Sequence, residues 1–155
     1  MPSERLTEHF WLDELLVSST ADQLGIANTP TPTHLERLRH TLAPGLERVR
    51  TVCGDRPMTV TSAYRNPEIN RRVGGTATSA HPMGYAADLR VSGLSAFATA
   101  RKVASAMAGG DLRLDQLILE SGRSIVHVSF APSPRMMRGH QPGPAGTAID
   151  WHFFD

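Results

Sequence analysis

A single cysteine, Cys53, limits the folds open to this chain of 155 residues more than any other feature. One thiol cannot form an intrachain disulfide, and it cannot supply a zinc site with two or more cysteine ligands. The fold must therefore be held by a hydrophobic core, and a chain of this length can bury one. We expect one domain over residues 1–155, in which any metal site rests mainly on histidine and carboxylate.

Charge and hydropathy exclude several classes of function. The 16 Lys and Arg residues nearly balance the 15 Asp and Glu residues, so the formal charge of +1 gives no reason to expect a nucleic-acid partner. No run approaches the roughly 18 apolar residues that a membrane span needs, so none is expected. The start, Met1-Pro2-Ser3-Glu4-Arg5, is not followed by an apolar run, and we expect no signal peptide.

The order of hydrophobic periodicities predicts an α+β fold, with helices packed on a small, mainly antiparallel sheet. The predicted strands are 58–62, 85–91, 115–120 and 125–130. The predicted helices are one or two short helices between residues 6 and 26, a helix capped by Thr33 and kinked or broken at Pro44-Gly45, and a helix capped by Ser92 or Ser95 and ended by Gly109-Gly110. The tail from about residue 132 is rich in Pro and Gly, and we expect it to be irregular.

Alternation along the predicted strands brings polar residues to one face of the sheet. In 85–91 the apolar residues face the core and Asp88 points away from it, and in 125–130 the same argument turns His127 away from the core. A tight turn at Gly122-Arg123 would pair Glu120 with Ile125 and Ile118 with His127. One surface would then be lined by Gln116, Ile118, Glu120, His127 and Ser129.

A second histidine, His81, precedes Asp88 by seven residues, with Gly84 between them to let the chain turn. Two histidines, one carboxylate and an open position make a catalytic zinc site, in which a further carboxylate serves as general base. Spacing alone leaves a second interpretation open, in which the strand histidines are held by structural hydrogen bonds.

Several short motifs resemble one known family. The motifs are Ser62-Ala63-Tyr64-Arg65, Asn70, Val73-Gly74-Gly75, Ser79-x-His81-x-x-Gly84-x-Ala86-Ala87-Asp88 and Val126-His127-Val128-Ser129. Together they resemble the zinc D-Ala-D-Ala carboxypeptidase family (peptidase M15-like), and most of all its compact single-domain form, often encoded by phages or prophages. The resemblance spans about residues 6 to 131 and implies the hedgehog/DD-peptidase-like fold.

The resemblance also implies roles for particular residues. His81, Asp88 and His127 match the zinc ligands, and Arg65 matches an arginine that holds a substrate carboxylate or the developing oxyanion. Positions that line the substrate site are matched by Ser62, Tyr64 and Ser79. The alternatives are a surface ion pair for Arg65, core packing for Tyr64, and turn or cap roles for the two serines.

The general base is where the sequence departs from the family pattern. Many members carry Glu or Asp three residues before the last histidine ligand, and that position is Ser124 here. The nearest carboxylate is Glu120, which we predict to be the base. Its alternatives are a solvated hairpin end and an ion pair with Arg123.

These matches imply a zinc peptidase that hydrolyses peptide bonds of the peptidoglycan stem peptide, and we expect the protein to be a monomer. Whether it acts as a D-Ala-D-Ala carboxypeptidase or as an endopeptidase stays open. Such an endolysin-like enzyme would reach the cell wall after holin release, lysis or virion delivery. Ser124 keeps an alternative open, namely a non-catalytic, zinc-containing cell-wall binding module or virion structural part.

Overall fold

Five strands form one mixed sheet in the computed structural model, which describes residues 3–155. Met1 and Pro2, on which the expectation about a signal peptide rests in part, lie outside the described residues. The strands are β1 (Met58–Ser62), β2 (Ala86–Val91), β3 (Gln116–Glu120), β4 (Ile125–Ser129) and β5 (Met137–His140). The helices are α1 (Leu12–Leu16), α2 (Ser19–Leu24), α3 (Pro32–Arg37), α4 (Ala43–Val52), α5 (Pro67–Arg72) and α6 (Ala96–Ala108).

The sheet confirms the α+β prediction and the predicted hairpin register. Its strand order is β1-β2-β4-β3-β5, with antiparallel pairing everywhere except between β3 and β5. Glu120 pairs with Ile125 and Ile118 pairs with His127, as predicted. This register is fixed because a slip of one residue would turn Val126 and Val128 from the core to the polar face and bring His127 into the core.

One face of the sheet carries the hydrophobic core. Helix α6 packs on this face and α4 packs against α6, and in this core Leu46, Val103, Leu89 and Val126 have no measurable exposure. Ser95 caps α6 by accepting a hydrogen bond from the Ala98 N–H, as one of the two predicted caps. The opposite face is left to the polar residues of β2, β3 and β4. No helix among residues 3–155 has the length and apolar character that a membrane crossing requires.

The first long helix begins and continues differently from the prediction. Thr31, not Thr33, is the N-cap of α3, because Pro32 fits the first helical position and moves the cap to the residue before it. Pro44 does not end the helix. The chain stays helical through a π-helical segment, Leu38–Leu42, in which the Ala43 N–H bonds to the Leu38 carbonyl. A proline lacks the N–H of a regular turn, and the wider π turn accommodates that loss.

The predicted irregular tail contains a strand. β5 pairs in parallel with the outer edge of β3, and hydrogen bonds from Met137 N to Asp115 O (3.0 Å) and from Gln141 N to Leu119 O (2.8 Å) extend the pairing at both ends. β3 offers these acceptors because only one of its edges is used by β4. The strand therefore forms from a partner that is distant in sequence, and the local Pro and Gly content does not reveal it.

β1 contains an irregularity that decides which way its last residue points. Val60 pairs with Leu89, whereas Ser62 pairs with Asp88, so the intervening Thr61 is an extra residue in the strand. A bulge of this kind changes the face that the following side chains occupy. Ser62 consequently lies beside Asp88 on the polar face, although simple alternation would put it on the face of Val60.

Candidate metal centre and cleft

Three metal-ligating side chains meet on the polar face of the sheet. His81, Asp88 and His127 present ligand atoms that all lie within 4.8 Å of one another, and no other such group occurs among residues 3–155. Their exposed fractions are 2%, 1% and 9%. Asp88 and His127 are direct partners in the β2–β4 pairing, so the sheet itself holds them side by side.

His81 joins the cluster from the loop before β2. Gly84, with a φ of +82°, turns the chain into the strand, which agrees with the predicted use of that glycine. The His81 Nδ1–H donates a hydrogen bond to the Ala63 carbonyl at 2.6 Å, which leaves Nε2 to face Asp88 Oδ1 at 3.2 Å. His127 Nδ1 lies 2.9 Å from the same oxygen.

The donor set fits a zinc ion. Burial lowers the pKa of His81, which favours the neutral ring, and its Nε2 lone pair then points at a carboxylate oxygen. A cation between the three groups would turn this repulsion into attraction. Ligand atoms at about 2.0–2.2 Å from a tetrahedral zinc lie about 3.3 Å apart, close to the separations seen here. The contact of His81 with Ala63 is the usual outer hydrogen bond of a histidine ligand.

Asp88 is held in its charged form. Burial alone would raise its pKa, but when the neighbouring His81 and His127 rings are protonated, their charges and the hydrogen bonds that they donate outweigh burial and lower the pKa well below the usual range. Its second oxygen, Oδ2, accepts a hydrogen bond from the Arg123 guanidinium at 3.1 Å. Asp88 therefore offers one oxygen to the cluster while the other is occupied.

Glu120 lies at the end of β3, close to this cluster. It is 7% exposed, and one of its oxygens is 3.4 Å from the Arg123 guanidinium. Burial and the nearby charge of Asp88 raise the pKa of Glu120, against the opposing effects of Arg123, His127 and Arg65. A carboxylate with a raised pKa beside a metal site has the properties of a general base. Ser124, at the family's usual position, is a turn residue with a φ of +53°.

Arg65 is buried beside the cluster without a partner for part of its guanidinium. It is 8% exposed, and its Nε has no hydrogen-bond acceptor among residues 3–155. Burial lowers the pKa of Arg65, although Asp88 and Glu120 oppose this effect. A buried guanidinium with an unused donor is costly for the fold and is prepared to bind an anion. The predicted alternative of a surface ion pair does not agree with this burial.

A cleft of about 700 Å³ opens over the cluster. Its floor includes the three ligands and Glu120. One wall is polar and comes from the loop before β2, and the other comes from the segment after β4. The polar wall includes Thr76, Thr78 and Ser79, and the second wall includes Pro132, Ala145, Ile149 and Trp151. A smaller cavity of about 240 Å³ adjoins Arg65 on the β1 side and is lined by Ser62 and other hydroxyl side chains.

The structure brings two of the three predicted lining residues to these cavities. Ser79 lines the main cleft and its hydroxyl accepts a hydrogen bond from the His81 N–H at 3.3 Å, while Ser62 lines the smaller cavity. Tyr64 does not line either cavity. It is 2% exposed and packs in the core, with its ring 5.4 Å from that of His34. Tyr64 lies two residues beyond the end of β1, where strand alternation no longer decides which way a side chain points, and its ring packs into the core.

Two contributors to the site are not predicted by the sequence pattern. Arg123, which the sequence suggests only as a partner of Glu120, also donates a hydrogen bond to Asp88. Asn70, which the motifs do single out, is 4% exposed and donates to the Thr76 carbonyl at 3.0 Å, which braces the polar wall. The wall with Ile149 and Trp151 lies in the predicted irregular tail. Within this tail, the aromatic residues at 151–154 are the sequence feature that indicates packing against the rest of the domain.

The remaining histidines lie away from the cluster. His9 pairs with Glu47, His140 accepts or donates a hydrogen bond with the Ser121 hydroxyl, and His152 is an exposed partner of Asp155. His34 and His40 complete this group, and none of the five belongs to the set of ligand atoms described above.

Fold and site together define a class of protein, an α+β domain with a His-Asp-His cluster at the base of a cleft. The family model described as Peptidase M15 matches residues 8–129, which is more than half of the chain. The chain belongs to this family, and the family makes it a peptidase. No curated protein matches the chain.

Proposed function

We propose that this peptidase is zinc-dependent and hydrolyses peptide bonds of bacterial peptidoglycan. It acts either as a D-Ala-D-Ala carboxypeptidase that removes the terminal D-Ala or as an endopeptidase that cuts within the stem peptide. His81, Asp88 and His127 hold the zinc ion. Membership of the Peptidase M15 family and the fit of the donor set to zinc support this assignment.

The observation that carries the proposal is the buried, partly unpartnered Arg65 beside the metal cluster. A cell-wall stem peptide ends in a carboxylate, and peptide hydrolysis develops negative charge on the carbonyl oxygen. A guanidinium fixed in a water-poor site binds either anion more strongly than one in bulk water. A module that only binds the cell wall would not need a costly buried arginine at the metal cluster.

Each remaining residue of the site has a chemical role in the proposal. Zinc, when bound, supplies a Lewis acid that activates water and polarises the scissile carbonyl. Glu120 accepts a proton from the attacking water, and its raised pKa lets it hand that proton to the leaving amine. Arg123 holds Asp88 by its outer oxygen and keeps Glu120 nearby. Ser62 and Ser79 contact the substrate backbone.

The test combines metal analysis with digestion of purified peptidoglycan. The wild-type protein should bind one zinc ion and release soluble peptides, and His127→Ala should lose both properties. His152→Ala is the matched control, because this exposed histidine lies outside the cluster. Mass spectrometry of the products separates the loss of one D-Ala from cuts within the stem. One bound zinc ion without released products would overturn the proposal in favour of a non-catalytic module.

A further inference from the structure

The cleft wall opposite the polar loop is built from residues that follow the region matched by the family. That match ends at residue 129, whereas Ile149 and Trp151 line the cleft. The wall is firmly attached to the sheet. Arg135 makes three hydrogen bonds to Asp115, of 3.0, 2.9 and 2.7 Å, and His140 and Asp150 exchange two backbone hydrogen bonds of 3.0 and 2.9 Å.

A glycine in β5 lets this wall lie against the face that carries the site. Gly139 pairs with Ile118, which pairs with His127, so all three share one face of the sheet. A Cβ atom at Gly139 would lie 2.6 Å from Ile149 Cγ2 and 2.7 Å from the Trp151 ring. Both side chains therefore rest directly on the strand, at a position that only glycine leaves open.

The strand order places Arg65 and this wall on opposite sides of the metal cluster. Arg65 follows the edge strand β1, Asp88 and His127 lie on β2 and β4, and β5 forms the other edge. Two to three strand spacings of about 4.8 Å separate the ligand strands from β5, a distance of about 10–14 Å. An extended peptide covers this distance in about three or four residues.

From this geometry we propose that Ile149 and Trp151 form an apolar subsite for the acyl side of the substrate. The subsite takes an alkyl side chain about three or four residues before the scissile bond, while Arg65 takes the carboxylate on the other side. Ile149 and Trp151 give this wall an aliphatic chain and an indole beside the polar Arg135 and Gln141, and the facing wall carries the hydroxyl groups of Thr76, Thr78 and Ser79. The proposal rests on the proposed function and names the part of the peptide that this enzyme selects.

The test uses acetylated peptides that end in D-Ala-D-Ala and carry zero to four additional alkyl residues at the amino end. For the zinc-loaded wild-type protein, kcat/KM should rise about tenfold when the chain reaches the subsite, which is about 1.4 kcal/mol and the order of burying one alkyl side chain. In Trp151→Ala and Ile149→Ala, the ratio of kcat/KM for the longest and shortest peptides should fall to about one. Phe153→Ala is the matched control, because this aromatic side chain packs on Phe97 and does not line the cleft.

Fluorescence separates failure of the subsite from failure of the proposed function. The chain has two tryptophans, Trp11 and Trp151, so Trp11→Phe leaves Trp151 as the only reporter. The fluorescence emission of Trp151 should change and reach saturation as the concentration of the longest peptide is raised, and it should not change with the shortest peptide. The same response without cleavage of these peptides, and without digestion of purified peptidoglycan, would support the subsite and refute the peptidase activity. Cleavage with an unchanged length dependence in Trp151→Ala, or an unresponsive Trp151, would overturn the subsite.

Discussion

Replacing Arg65 with methionine should stabilise the protein and remove its activity. Methionine keeps most of the alkyl stem but has no donor and no charge. The side chain is 8% exposed and its Nε is unsatisfied, and one buried unsatisfied donor costs about 1–3 kcal/mol. The pKa of Arg65 is lowered even with Asp88 and Glu120 nearby, so the site disfavours the charge on balance. We therefore expect the free energy of unfolding to rise by about 1–3 kcal/mol.

The assay is urea unfolding of the metal-free protein, followed by circular dichroism. In a chain of this size each kcal/mol raises Tm by about 2–4 °C, so a thermal scan checks the result independently. Hydrolysis by the zinc-loaded variant should fall by about 10²–10³ in kcat/KM, as when a donor to the developing oxyanion is lost. Arg113→Met, at an exposed position, should change stability by less than about 0.5 kcal/mol. A variant at Arg65 that is less stable than the wild type by more than 1 kcal/mol, or that keeps full activity, would refute the reasoning.

Three further predictions concern the carboxylates. Glu120→Gln should keep its zinc in metal analysis but lose about 10²–10⁴ in kcat, and a wild-type rate would exclude Glu120 as the base. In the metal-free protein, burial and Asp88 raise the pKa of Glu120 above 4.5, so stability should fall as pH rises through that pKa. In urea unfolding, the stability of Glu120→Gln relative to the wild type should accordingly increase from pH 4 to pH 7. A difference in the free energy of unfolding that does not change with pH would contradict this. Hydrogen bonds from Arg135 lower the pKa of Asp115 in the folded protein. The stability that they add is therefore present above pH 3.8, the pKa of Asp115 in the unfolded chain, and is lost as the pH falls through the lower pKa of the folded protein. Asp115→Asn should therefore lower the free energy of unfolding by about 1 kcal/mol at neutral pH, a small value because Arg135 is largely exposed. In strong acid the substitution should leave the free energy of unfolding unchanged. A loss of stability that persists in acid would show that packing, and not the ion pair, is its cause.

The parts of the fold that could be predicted are those with a strict two-residue alternation. Val126 and Val128 in β4, with Phe130 directly after it, must face the core and so fix the face of His127, and the short turn then fixes its partner Ile118. The bounds of the four predicted strands differ from the structure by no more than one residue. Local patterns suffice here because burial on one face allows a single register.

The parts that could not be predicted depend on contacts between distant segments. β5 forms because β3 has a free edge, and the extra residue in β1 turns Ser62 towards Asp88. Tyr64 enters the core from beyond the end of β1. Neither the free edge nor the bulge leaves a mark in the local sequence. The burial of Arg65 is also a tertiary property, since an arginine in a polar loop is usually exposed.

The two hydrogen bonds that orient His81 and Asp88, two of the proposed metal ligands, differ in how they respond to mutation. His81 is oriented by the main-chain carbonyl of Ala63, an acceptor that no substitution at position 63 removes while the backbone keeps its path. Asp88 is oriented by Arg123, a 41% exposed side chain on a hairpin turn, where replacement leaves the core intact and affects the two carboxylates that it contacts, Asp88 and Glu120. Substitutions can therefore change the orientation and charge environment of Asp88 while the orientation of His81 stays the same. Related chains should accordingly vary in the strength of metal binding through position 123 sooner than through the surroundings of His81.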